Sequence, residues 1–443
     1  MYVIVGLGKT GVSCLRWLRG RGEAVRALDT REQPPGLDAL RAGFPDVEIH
    51  TGSLRADWLL SAGVLVVSPG VAVAEPEIVA AAAAGVPVIG DIELFARHVH
   101  APVIGITGSN GKSTVTALLG EMAQAAGLNV AVGGNFGTPA LDLLADDVQL
   151  YVLELSSFQL ETTYTLALTG ATILNLSEDH MDRYASLADY GMAKQRIFAR
   201  CTTAVVNRDD SWSAPRTGFA GDTIDFGTGS RSRGFGIADA GGVRVITRDG
   251  KPLIAVDDMR IKGTHNQLNA MAALGLGLAA GLPMPAMLKA LREFPGLPHR
   301  CRFVAEQGGV AWYNDSKGTN IGATAAALAG LGENIRGKVV LIAGGLGKDQ
   351  DFHLLDPHVR AWVRKLMLIG RDAPLIRAAI SEQDKIVDCV SMEDAVRASA
   401  GVALPGDAVL LSPACASFDM YSGYDARGRH FEQLVLAHTG RAA

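Results

Sequence analysis

The chain alternates short, mainly apolar runs with longer stretches in which apolar residues recur every three or four positions. A short apolar run bounded by turn residues is typical of a strand that is buried on both faces. We interpret the following runs as strands: Tyr2–Val5, Ala24–Leu28, Val64–Val67, Val86–Ile89, Val103–Ile106, Leu150–Leu155, Ala171–Leu176, Ala204–Asn207, Val339–Ala343, Lys365–Ile369 and Ala408–Leu411. Their alternation with helical patterns predicts an α/β protein whose parallel sheets are covered by helices on both faces.

One stretch departs from this alternation. Between Thr223 and Ile261 the chain is rich in glycine, and the runs Val243–Thr247 and Leu253–Val256 flank the pair Asp249-Gly250. An Asp-Gly pair between two strand-like runs is a strong hairpin signal. We therefore expect a small antiparallel sheet in the middle of the chain.

Two segments suggest domain boundaries. The segment His98–Pro102 precedes a fresh strand, and Phe294–Pro298 places two prolines around a glycine. Three α/β domains follow, spanning residues 1–97, 98–296 and 297–443. The length of 443 residues agrees with this division at roughly 150 residues per domain.

Composition excludes several classes of protein. Hydrophobic residues make up 48% of the chain and charged residues 20%, which is ordinary for a globular protein. The formal net charge of −5 argues against broad nucleic-acid binding, which needs a basic surface. The apolar stretch Ala270–Leu288 is interrupted by glycines and prolines, so we interpret it as a buried helix ended by the prolines rather than as a membrane span.

The cysteines and the N-terminus indicate a compartment. The five cysteines show no Cys-x-x-Cys spacing, so neither a disulfide framework nor a zinc knuckle is expected. Met1–Gly6 has no basic region and runs straight into a strand, unlike a signal peptide. We expect a protein of the reducing cytosol.

A phosphate-binding loop is predicted after the strand Val103–Ile106. The sequence Thr107-Gly-Ser-Asn-Gly-Lys-Ser-Thr114 follows the strand and precedes a helix, so its backbone N–H groups and the helix N-terminus can cradle phosphates. Lys112 can reach the β- and γ-phosphates, and the Ser113 hydroxyl can ligate Mg²⁺. The match is imperfect, because Ile106 occupies the position at which a glycine is usual. The alternative is a turn with an exposed lysine.

An acidic residue ends a strand that we expect beside this loop. Glu154 lies near the end of the run Leu150–Leu155. A carboxylate there is suited to bind Mg²⁺ or to position water. Its alternative role is to cap the following helix.

The first strand is followed by a second glycine-rich loop. Gly6-Leu-Gly-Lys-Thr-Gly11, with Asp29 at the end of the next strand, satisfies the dinucleotide fingerprint. The physics of the motif, however, is only that of a diphosphate at a helix N-terminus. A nucleotide-diphosphate sugar carries the same group, and the motif does not choose between the two ligands.

Further polar groups cluster where other predicted strands and helices meet. They include His180 in the loop Glu178–Tyr184, Lys194 on a helical face with Tyr190 and Ile197, and Asn266 and Asn269 at a helix start. The loops that follow the later strands are Asn314–Asn320, Gly344–Lys348 and Ser412–Asp419. In α/β proteins such loops line the binding crevice. For single residues the alternatives are a surface histidine, a solvated lysine and a helix cap.

The motifs together resemble the Mur ligase family. The resemblance rests on Gly105–Thr114, on the Glu-Asp-His-Met-Asp-Arg-Tyr loop at 178–184 and on the His-Asn-x-x-Asn helix start at 265–269. It covers essentially the whole chain in the same order, and the family's variant phosphate loop accounts for Ile106. Three further segments, Leu155–Glu161, Asn314–Lys317 and Ser412–Ser417, resemble the branch that adds D-glutamate.

The resemblance implies a fold and a reaction. The fold has a Rossmann-like N-terminal domain, a central P-loop mononucleotide-binding domain and a Rossmann-like C-terminal domain. The reaction uses ATP and Mg²⁺, with two ions expected, to join D-glutamate to UDP-N-acetylmuramoyl-L-alanine through an acyl phosphate in peptidoglycan synthesis. A monomer is expected, with no nucleic-acid or membrane partner.

The resemblance also implies residue roles. The catalytic set is Lys112, Glu154, His180 and Lys194. The implied metal ligands are Ser113, Glu154, His180 and Lys194, with Lys194 carbamylated. ATP contacts fall on Gly108, Ser109, Asn110, Gly111, Lys112, Ser113, Thr114, Asn269, Arg300, Asp315 and Lys317. UDP-substrate contacts fall on Gly8, Lys9, Thr10, Thr30, Arg31, Gly70 and Asn135. D-glutamate contacts fall on His180, Thr319, Lys348, Ser417, Phe418 and Tyr424. In the family, Lys9 stands where an apolar residue is common, and Tyr424 where phenylalanine is common.

Three other functions remain open on the sequence. A folylpolyglutamate-type ligase shares the ATP loop but has no use for the loop Gly6–Gly11. An NAD-dependent dehydrogenase fits the first domain and leaves Lys112 without a role. A non-catalytic nucleotide switch would hydrolyse ATP slowly, with no effect of any amino acid.

Overall fold

The computed structural model describes residues 1–216, 218–333 and 335–440. The strands are β1 (Tyr2–Val5), β2 (Val25–Asp29), β3 (Glu48–Thr51), β4 (Val64–Val67), β5 (Val88–Ile89), β6 (Val103–Thr107), β7 (Val130–Gly134), β8 (Leu150–Glu154), β9 (Leu168–Ile173), β10 (Cys201–Asn207), β11 (Asp222–Phe226), β12 (Phe235–Asp239), β13 (Arg244–Arg248), β14 (Lys251–Ala255), β15 (Arg302–Gln307), β16 (Val310–Asn314), β17 (Val339–Gly344), β18 (Val363–Ile369), β19 (Ile386–Asp388) and β20 (Ala408–Leu411). The helices are α1 (Lys9–Gly20), α2 (Leu37–Gly43), α3 (Ala56–Leu60), α4 (Pro76–Ala83), α5 (Asp91–Ala96), α6 (Lys112–Ala125), α7 (Ser157–Glu161), α8 (Leu187–Gln195), α9 (Thr264–Ala279), α10 (Met284–Glu293), α11 (Ile321–Gly332), α12 (Asp356–Trp362), α13 (Ala373–Ala379), α14 (Met392–Val402) and α15 (Tyr424–His438).

The first sheet is parallel throughout. Its strand order is β3-β2-β1-β4-β5, and every neighbouring pair runs in the same direction. The order reverses at β1, so the loop after β1 opens into a crevice at the carboxyl edge of the sheet. This is the Rossmann-like arrangement that the loop Gly6–Gly11 predicts.

The middle sheet has nine strands in the order β14-β13-β12-β11-β10-β9-β6-β8-β7. The strands from β7 to β12 are parallel, and β12, β13 and β14 pair antiparallel. The predicted hairpin is confirmed, but its strands extend the large sheet through β11 and β12 rather than forming a sheet of their own. Strand β6 lies between β8 and β9, which places the predicted phosphate loop at the switch point.

The third sheet has the order β15-β16-β20-β17-β18-β19. Only β15 is antiparallel to its neighbour. The loops that follow β16, β17 and β20 therefore leave the sheet side by side at its carboxyl edge. These are the three loops that the sequence singles out in the last third of the chain.

The packing differs between the sheets. One hydrophobic core contains residues of the first sheet region, such as Leu15 and Phe95, together with Tyr151 and Leu153 of the middle sheet. The third sheet has its own core on each face. The first two sheets are thus joined by a common apolar core, whereas the third has cores of its own. The exact domain boundaries stay a prediction.

Two expectations need correction. The run Val86–Ile89 forms only a two-residue strand, Val88–Ile89. The apolar stretch Ala270–Leu288 spans two helices, because α9 ends at Ala279 and Pro283 caps the start of α10. Within the described residues, no helix is both long enough and apolar enough to cross a membrane.

Candidate active site

The phosphate loop has the predicted local structure. Strand β6 ends at Thr107, and α6 begins at Lys112. Gly111 has φ +84°, and a Cβ there would lie 2.4 Å from Asn269 Oδ1, so only glycine fits. Lys112 Nζ donates to the carbonyls of Gly108 at 2.7 Å and Ser109 at 2.8 Å. The lysine head therefore lies over the loop.

A chain of hydrogen bonds connects this loop to Asn135, after β7 of the same sheet, and to Arg300 of the third sheet region. Ser113 Oγ donates to Glu154 Oε2 at 2.6 Å, and Asn135 Nδ2 donates to Glu154 Oε1 at 2.7 Å. Arg300, which lies just before β15 of the third sheet, donates to Ser113 Oγ at 2.8 Å. Burial raises the pKa of Glu154, but Lys112 and the two hydrogen bonds outweigh it, so the net pKa is lowered. Glu154 is thus ionised at neutral pH.

A cavity of about 340 Å³ opens beside the phosphate loop, between the middle and third sheets. We call it the Asn269 cavity. Of the predicted ATP residues, Asn110, Gly111, Thr114, Asn269, Arg300, Asp315 and Lys317 line it. Burial lowers the pKa of Lys317 to about 8 and raises that of Asp315 to about 7. Asn266 also lines the wall and accepts a hydrogen bond from Asn269 at 3.2 Å.

A second cavity, of about 380 Å³, lies between the first and middle sheets. We call it the Lys9 cavity. All the predicted UDP-substrate residues line it: Gly8, Lys9, Thr10, Thr30, Arg31, Gly70 and Asn135. Lys9 and Thr10 open helix α1, whose N-terminus favours an anion.

Asp29 lines the same cavity but is already fully engaged. Its two oxygens accept four hydrogen bonds, from Leu7 N, Arg31 N, Arg31 Nε and the Arg31 terminal nitrogen. A carboxylate has about four lone-pair sites. Asp29 therefore orders Arg31 and the loop, and it has no site left for a ribose hydroxyl, which a dinucleotide would require.

A third cavity, of about 290 Å³, lies between the other two. We call it the Tyr424 cavity. Phe136, next to Asn135 of the Lys9 cavity, lines it, while Arg300 and Lys317 line both it and the Asn269 cavity. Ser113 borders this central cavity. The three cavities are therefore arranged in series around the Ser113–Glu154 pair.

The loop that carries His180 contacts the third sheet region. Asp179 accepts from Lys348 Nζ at 2.7 Å and from Asn320 Nδ2 at 3.2 Å. Burial raises the pKa of Asp179, but Lys348 and His180 hold it at about 2. Burial lowers the pKa of His180, which favours the neutral imidazole. His180 also packs edge-on against Phe158, with ring centroids 5.0 Å apart.

Lys194 is buried at the end of α8. Its Nζ donates to Gly108 O at 3.0 Å and lies 4.4 Å from the Tyr190 ring centroid. Burial, followed by repulsion from Lys112, holds the pKa of Lys194 well below its usual range. The amine is therefore directed at the phosphate loop without a carboxylate partner in the described part of the chain.

The predicted D-glutamate residues lie around the third sheet's loops but do not form one cluster. Lys348 pairs with Asp179 beside His180. Tyr424 lies under Lys317, whose Nζ is 3.8 Å from the ring centroid. Ser417 is buried, Thr319 is half-buried and the Phe418 side chain is 72% exposed.

The side chains beside the phosphate loop can hold a magnesium ion. Ser113 and Glu154 present two hard oxygens 2.6 Å apart, the ligand type that Mg²⁺ prefers. No group of three His, Cys, Asp or Glu side chains converges elsewhere among the described residues. Mg²⁺ is commonly held by one or two carboxylates together with substrate phosphates, and the Ser113–Glu154 pair fits that pattern.

Sequence reasoning missed several residues of the site. Asp179 and Asn320 lie in loops that were singled out, yet neither was assigned a role. His265, Asn175 and Ser177 line the Asn269 cavity as well. The sequence could have indicated these residues, because each lies beside a motif residue, after a strand or at the start of a helix that faces the crevice.

Comparison with known proteins identifies the class. Three family models match the chain in order: the Mur ligase MurD-like N-terminal domain over residues 1–90, the Mur ligase middle domain over 106–277 and the Mur ligase glutamate ligase domain over 299–415. The chain belongs to the Mur ligase family.

Among curated relatives, the chain is 52% identical to a UDP-N-acetylmuramoylalanine--D-glutamate ligase of Pseudomonas putida, covering 98% of this chain and 96% of that one. It is 50% identical to the enzyme of that name from Hahella chejuensis, covering 98% and 97%.

Solved structures agree on the fold. The UDP-N-acetylmuramate-alanine ligase MurC of Thermotoga maritima matches with a TM-score of 0.61 at 18% identity, covering 99% of each chain. MurF of Acinetobacter baumannii matches with a TM-score of 0.60 at 18% identity, covering 99% of this chain and 90% of that one.

Proposed function

We propose that the chain is an ATP-dependent amide ligase that adds D-glutamate to UDP-N-acetylmuramoyl-L-alanine in peptidoglycan synthesis. The reaction transfers the terminal phosphoryl group of ATP to the substrate carboxylate, and the amine of D-glutamate then displaces phosphate. A free carboxylate is a poor electrophile, and phosphorylation supplies the leaving group.

The serial arrangement of the three cavities carries this proposal. The hydrogen-bonded chain from Asn135 through Glu154 and Ser113 to Arg300 runs from the Lys9 cavity to the Asn269 cavity. A ligase of this kind must bring the carboxylate of one large substrate to the phosphoryl group of another. The central Tyr424 cavity is where the two ends would meet.

The cations of the site suit a reaction that gathers negative charge. Lys112, Arg300 and Lys317 surround the Ser113–Glu154 pair, and each is available to phosphate oxygens. Fixed cations placed where charge accumulates stabilise phosphoryl transfer more than flexible ones would. We assign the remaining phosphate-loop residues to backbone N–H contacts with the nucleotide.

The metal site follows from the oxygens at Ser113 and Glu154. Bound Mg²⁺ would neutralise phosphate charge and polarise the transferred group. His180 and Lys194 would hold a second ion on the substrate side. Because burial favours the neutral amine, Lys194 can add to dissolved CO₂ and lose one proton to become a carbamate. That converts a cation that would repel Mg²⁺ into an oxygen ligand.

The Lys9 cavity is assigned to the uridine diphosphate. The α1 N-terminus, Lys9 and Arg31 supply positive charge for the diphosphate. The saturated Asp29 favours a nucleotide sugar over a dinucleotide. We assign D-glutamate to the loops around Lys348 and Tyr424, where Lys348 would pair with one of its two carboxylates.

The test is phosphate release from ATP in the presence of Mg²⁺, UDP-N-acetylmuramoyl-L-alanine and an amino acid. D-glutamate should stimulate release strongly, and L-glutamate or meso-diaminopimelate should not. Equal stimulation by the three amino acids would refute the assignment of the acceptor. Release without any amino-acid dependence would favour a nucleotide switch. The monomeric state stays a prediction.

A further inference from the structure

His299 occupies an unusual position at the wall of the Tyr424 cavity. It precedes Arg300 and has φ +60°, a left-handed backbone conformation that non-glycine residues rarely adopt. Its ring lies on α15, where a Cβ at Gly428 would be 2.3 Å from His299 Nδ1. The fold therefore holds this ring closely against the helix.

The partner of the ring is Asn314, the last residue of β16. The Asn314 side chain is fully buried, and its Oδ1 accepts from Ser316 N at 3.0 Å. Its Nδ2 approaches Gly428 O at 3.1 Å and Glu432 Oε1 at 2.9 Å. Ser316 N can only donate and a carbonyl can only accept. The amide orientation is therefore fixed, with the NH₂ group towards α15.

This orientation determines the protonation of His299. Asn314 Nδ2 lies 2.8 Å from His299 Nδ1. The amide nitrogen has no free lone pair to accept a proton from Nδ1, so the geometry favours an unprotonated Nδ1 that shares the two amide protons with Gly428 O and Glu432 Oε1. In a neutral imidazole the other nitrogen then carries the proton. Burial also lowers the pKa of His299, although Glu432 opposes the shift.

The Nε2–H group is left for a ligand. His299 lines the Tyr424 cavity. Among the described residues its Nε2 has no hydrogen-bond partner, yet it is not one of the polar side-chain atoms that are both fully buried and without a partner. Nε2 is therefore accessible. The neighbouring cavity wall carries Arg300 and Lys317, so anionic oxygens are the groups that will collect there.

We propose that Asn314 is a positioning residue that fixes His299 as its Nε2–H tautomer, and that this N–H donates to an anionic oxygen of a substrate in the Tyr424 cavity. The ligand class rests on the proposed function, in which that oxygen belongs either to the phosphoryl group of the nucleotide or to a substrate carboxylate. The tautomer does not depend on the proposed function.

The direct test is ¹⁵N NMR of the histidine side chains in the full-length protein, with His299 assigned from the spectrum of His299→Gln. The wild type should show a protonated Nε2 and an unprotonated Nδ1. A protonated Nδ1 overturns the proposal whether or not any variant folds. This result is independent of ligase activity, so a failed amino-acid test and a failed tautomer test are distinguishable.

Titration with ligands then identifies the oxygen. A non-hydrolysable ATP analogue, UDP-N-acetylmuramoyl-L-alanine and D-glutamate are each added separately with Mg²⁺. A shift of the Nε2–H resonance with the analogue assigns a phosphoryl oxygen, and a shift with either of the others assigns a carboxylate. No shift with any of the three overturns the donor role.

Steady-state kinetics distinguishes a positioned N–H donor at residue 299 from a purely structural role of the ring. His299→Gln can place an N–H near the Nε2 position, whereas His299→Asn cannot, so kcat/KM of His299→Asn should be about 10- to 100-fold below that of His299→Gln. Asn314→Asp replaces the amide donor beside Nδ1 with a carboxylate acceptor, so the spectrum should show the His299 proton on Nδ1. Asn129→Asp, in an exposed turn at the amino end of β7, is the matched control and should leave both readouts unchanged. Equal losses in the two His299 variants would overturn the proposal.

Discussion

The carboxylate of Glu154 offers the sharpest test of the proposed reaction centre. Its two oxygens accept from Ser113 at 2.6 Å and from Asn135 at 2.7 Å. Glu154→Gln keeps the shape of the side chain, removes its charge and turns one acceptor into a donor. The Ser113 hydroxyl can rotate and the Asn135 amide can flip, so we expect the fold to survive the change.

The expected loss follows from the contacts. A hydrogen bond to a charged group contributes about 1.5–3 kcal/mol. Glutamine can keep hydrogen bonds to both Ser113 and Asn135, but without the negative charge that strengthens them. If that interaction acts in the transition state, its loss lowers the rate constant by about 10- to 150-fold. Because Glu154 is also our proposed Mg²⁺ ligand, the Mg²⁺ concentration for half-maximal activity should rise.

The assay is steady-state phosphate release over a range of Mg²⁺ concentrations. Glu121→Gln, which lies exposed on α6, is the control and should behave as wild type. Binding of UDP-N-acetylmuramoyl-L-alanine to Glu154→Gln should remain. A change in kcat/KM below about threefold, with the same Mg²⁺ dependence, would refute our reading of Glu154.

Three further predictions concern buried groups. Lys112→Ala should abolish turnover while calorimetric binding of the UDP-substrate survives, and turnover within a few-fold of wild type would contradict the phosphate-loop role. Lys194→Ala should be inactive and regain activity with short carboxylic acids, whereas an inactive variant without rescue would count against the carbamate. Burial raises the pKa of Asp91 to about 6, although Gln159 donates to it at 2.9 Å. Between about pH 4 and 6 the Asp91 carboxyl group keeps its proton in the folded state, whereas in the unfolded chain its pKa is about 3.8 and the proton is released. The free energy of unfolding therefore falls as the pH rises through this range, by up to about 3 kcal/mol. Asp91→Asn should remove this slope and raise the melting temperature at pH 8 but not at pH 4, and equal gains at both pH values would exclude the explanation.

The sequence predicts best the strands that are buried along most of their length. Strands such as β4 and β20 are buried in the interior of a sheet and read as continuous apolar runs. The missed strands β3, β7, β15 and β19 lie at sheet edges, and most of their residues are exposed or half-buried. The interior strands β11, β12 and β16 are missed as well, because buried and more exposed residues are mixed along them. An edge strand has partners on one side only and tolerates polar residues, so its apolar signal disappears.

The site shows a similar division. Residues in a local motif, such as Lys112 after β6, follow from strand, loop and helix order alone. The contact of Asp179 with Lys348 joins positions 169 residues apart and depends on how the third sheet lies against the middle one. Asn314 is harder still, because an asparagine at a strand end carries no signal for the histidine 15 residues earlier that it orients.

The charges of the site explain why its parts must be assembled around substrates. Lys112 and Lys317 are half-buried and have no ion pair within 4 Å among the described residues, and burial lowers the pKa of each. Lys112 and Lys194 donate to carbonyls of the phosphate loop, and Arg300 donates to a hydroxyl. Partly buried cations with only neutral partners destabilise the free protein. Anionic substrates relieve that cost when they bind, so part of the destabilisation in the free enzyme becomes binding energy for phosphate and carboxylate groups. Two contacts between the middle and third sheet regions, Arg300 with Ser113 and Lys348 with Asp179, also use cations of the site. We therefore expect substrate binding to rearrange this polar interface and to leave the apolar core shared by the first two sheets as it is.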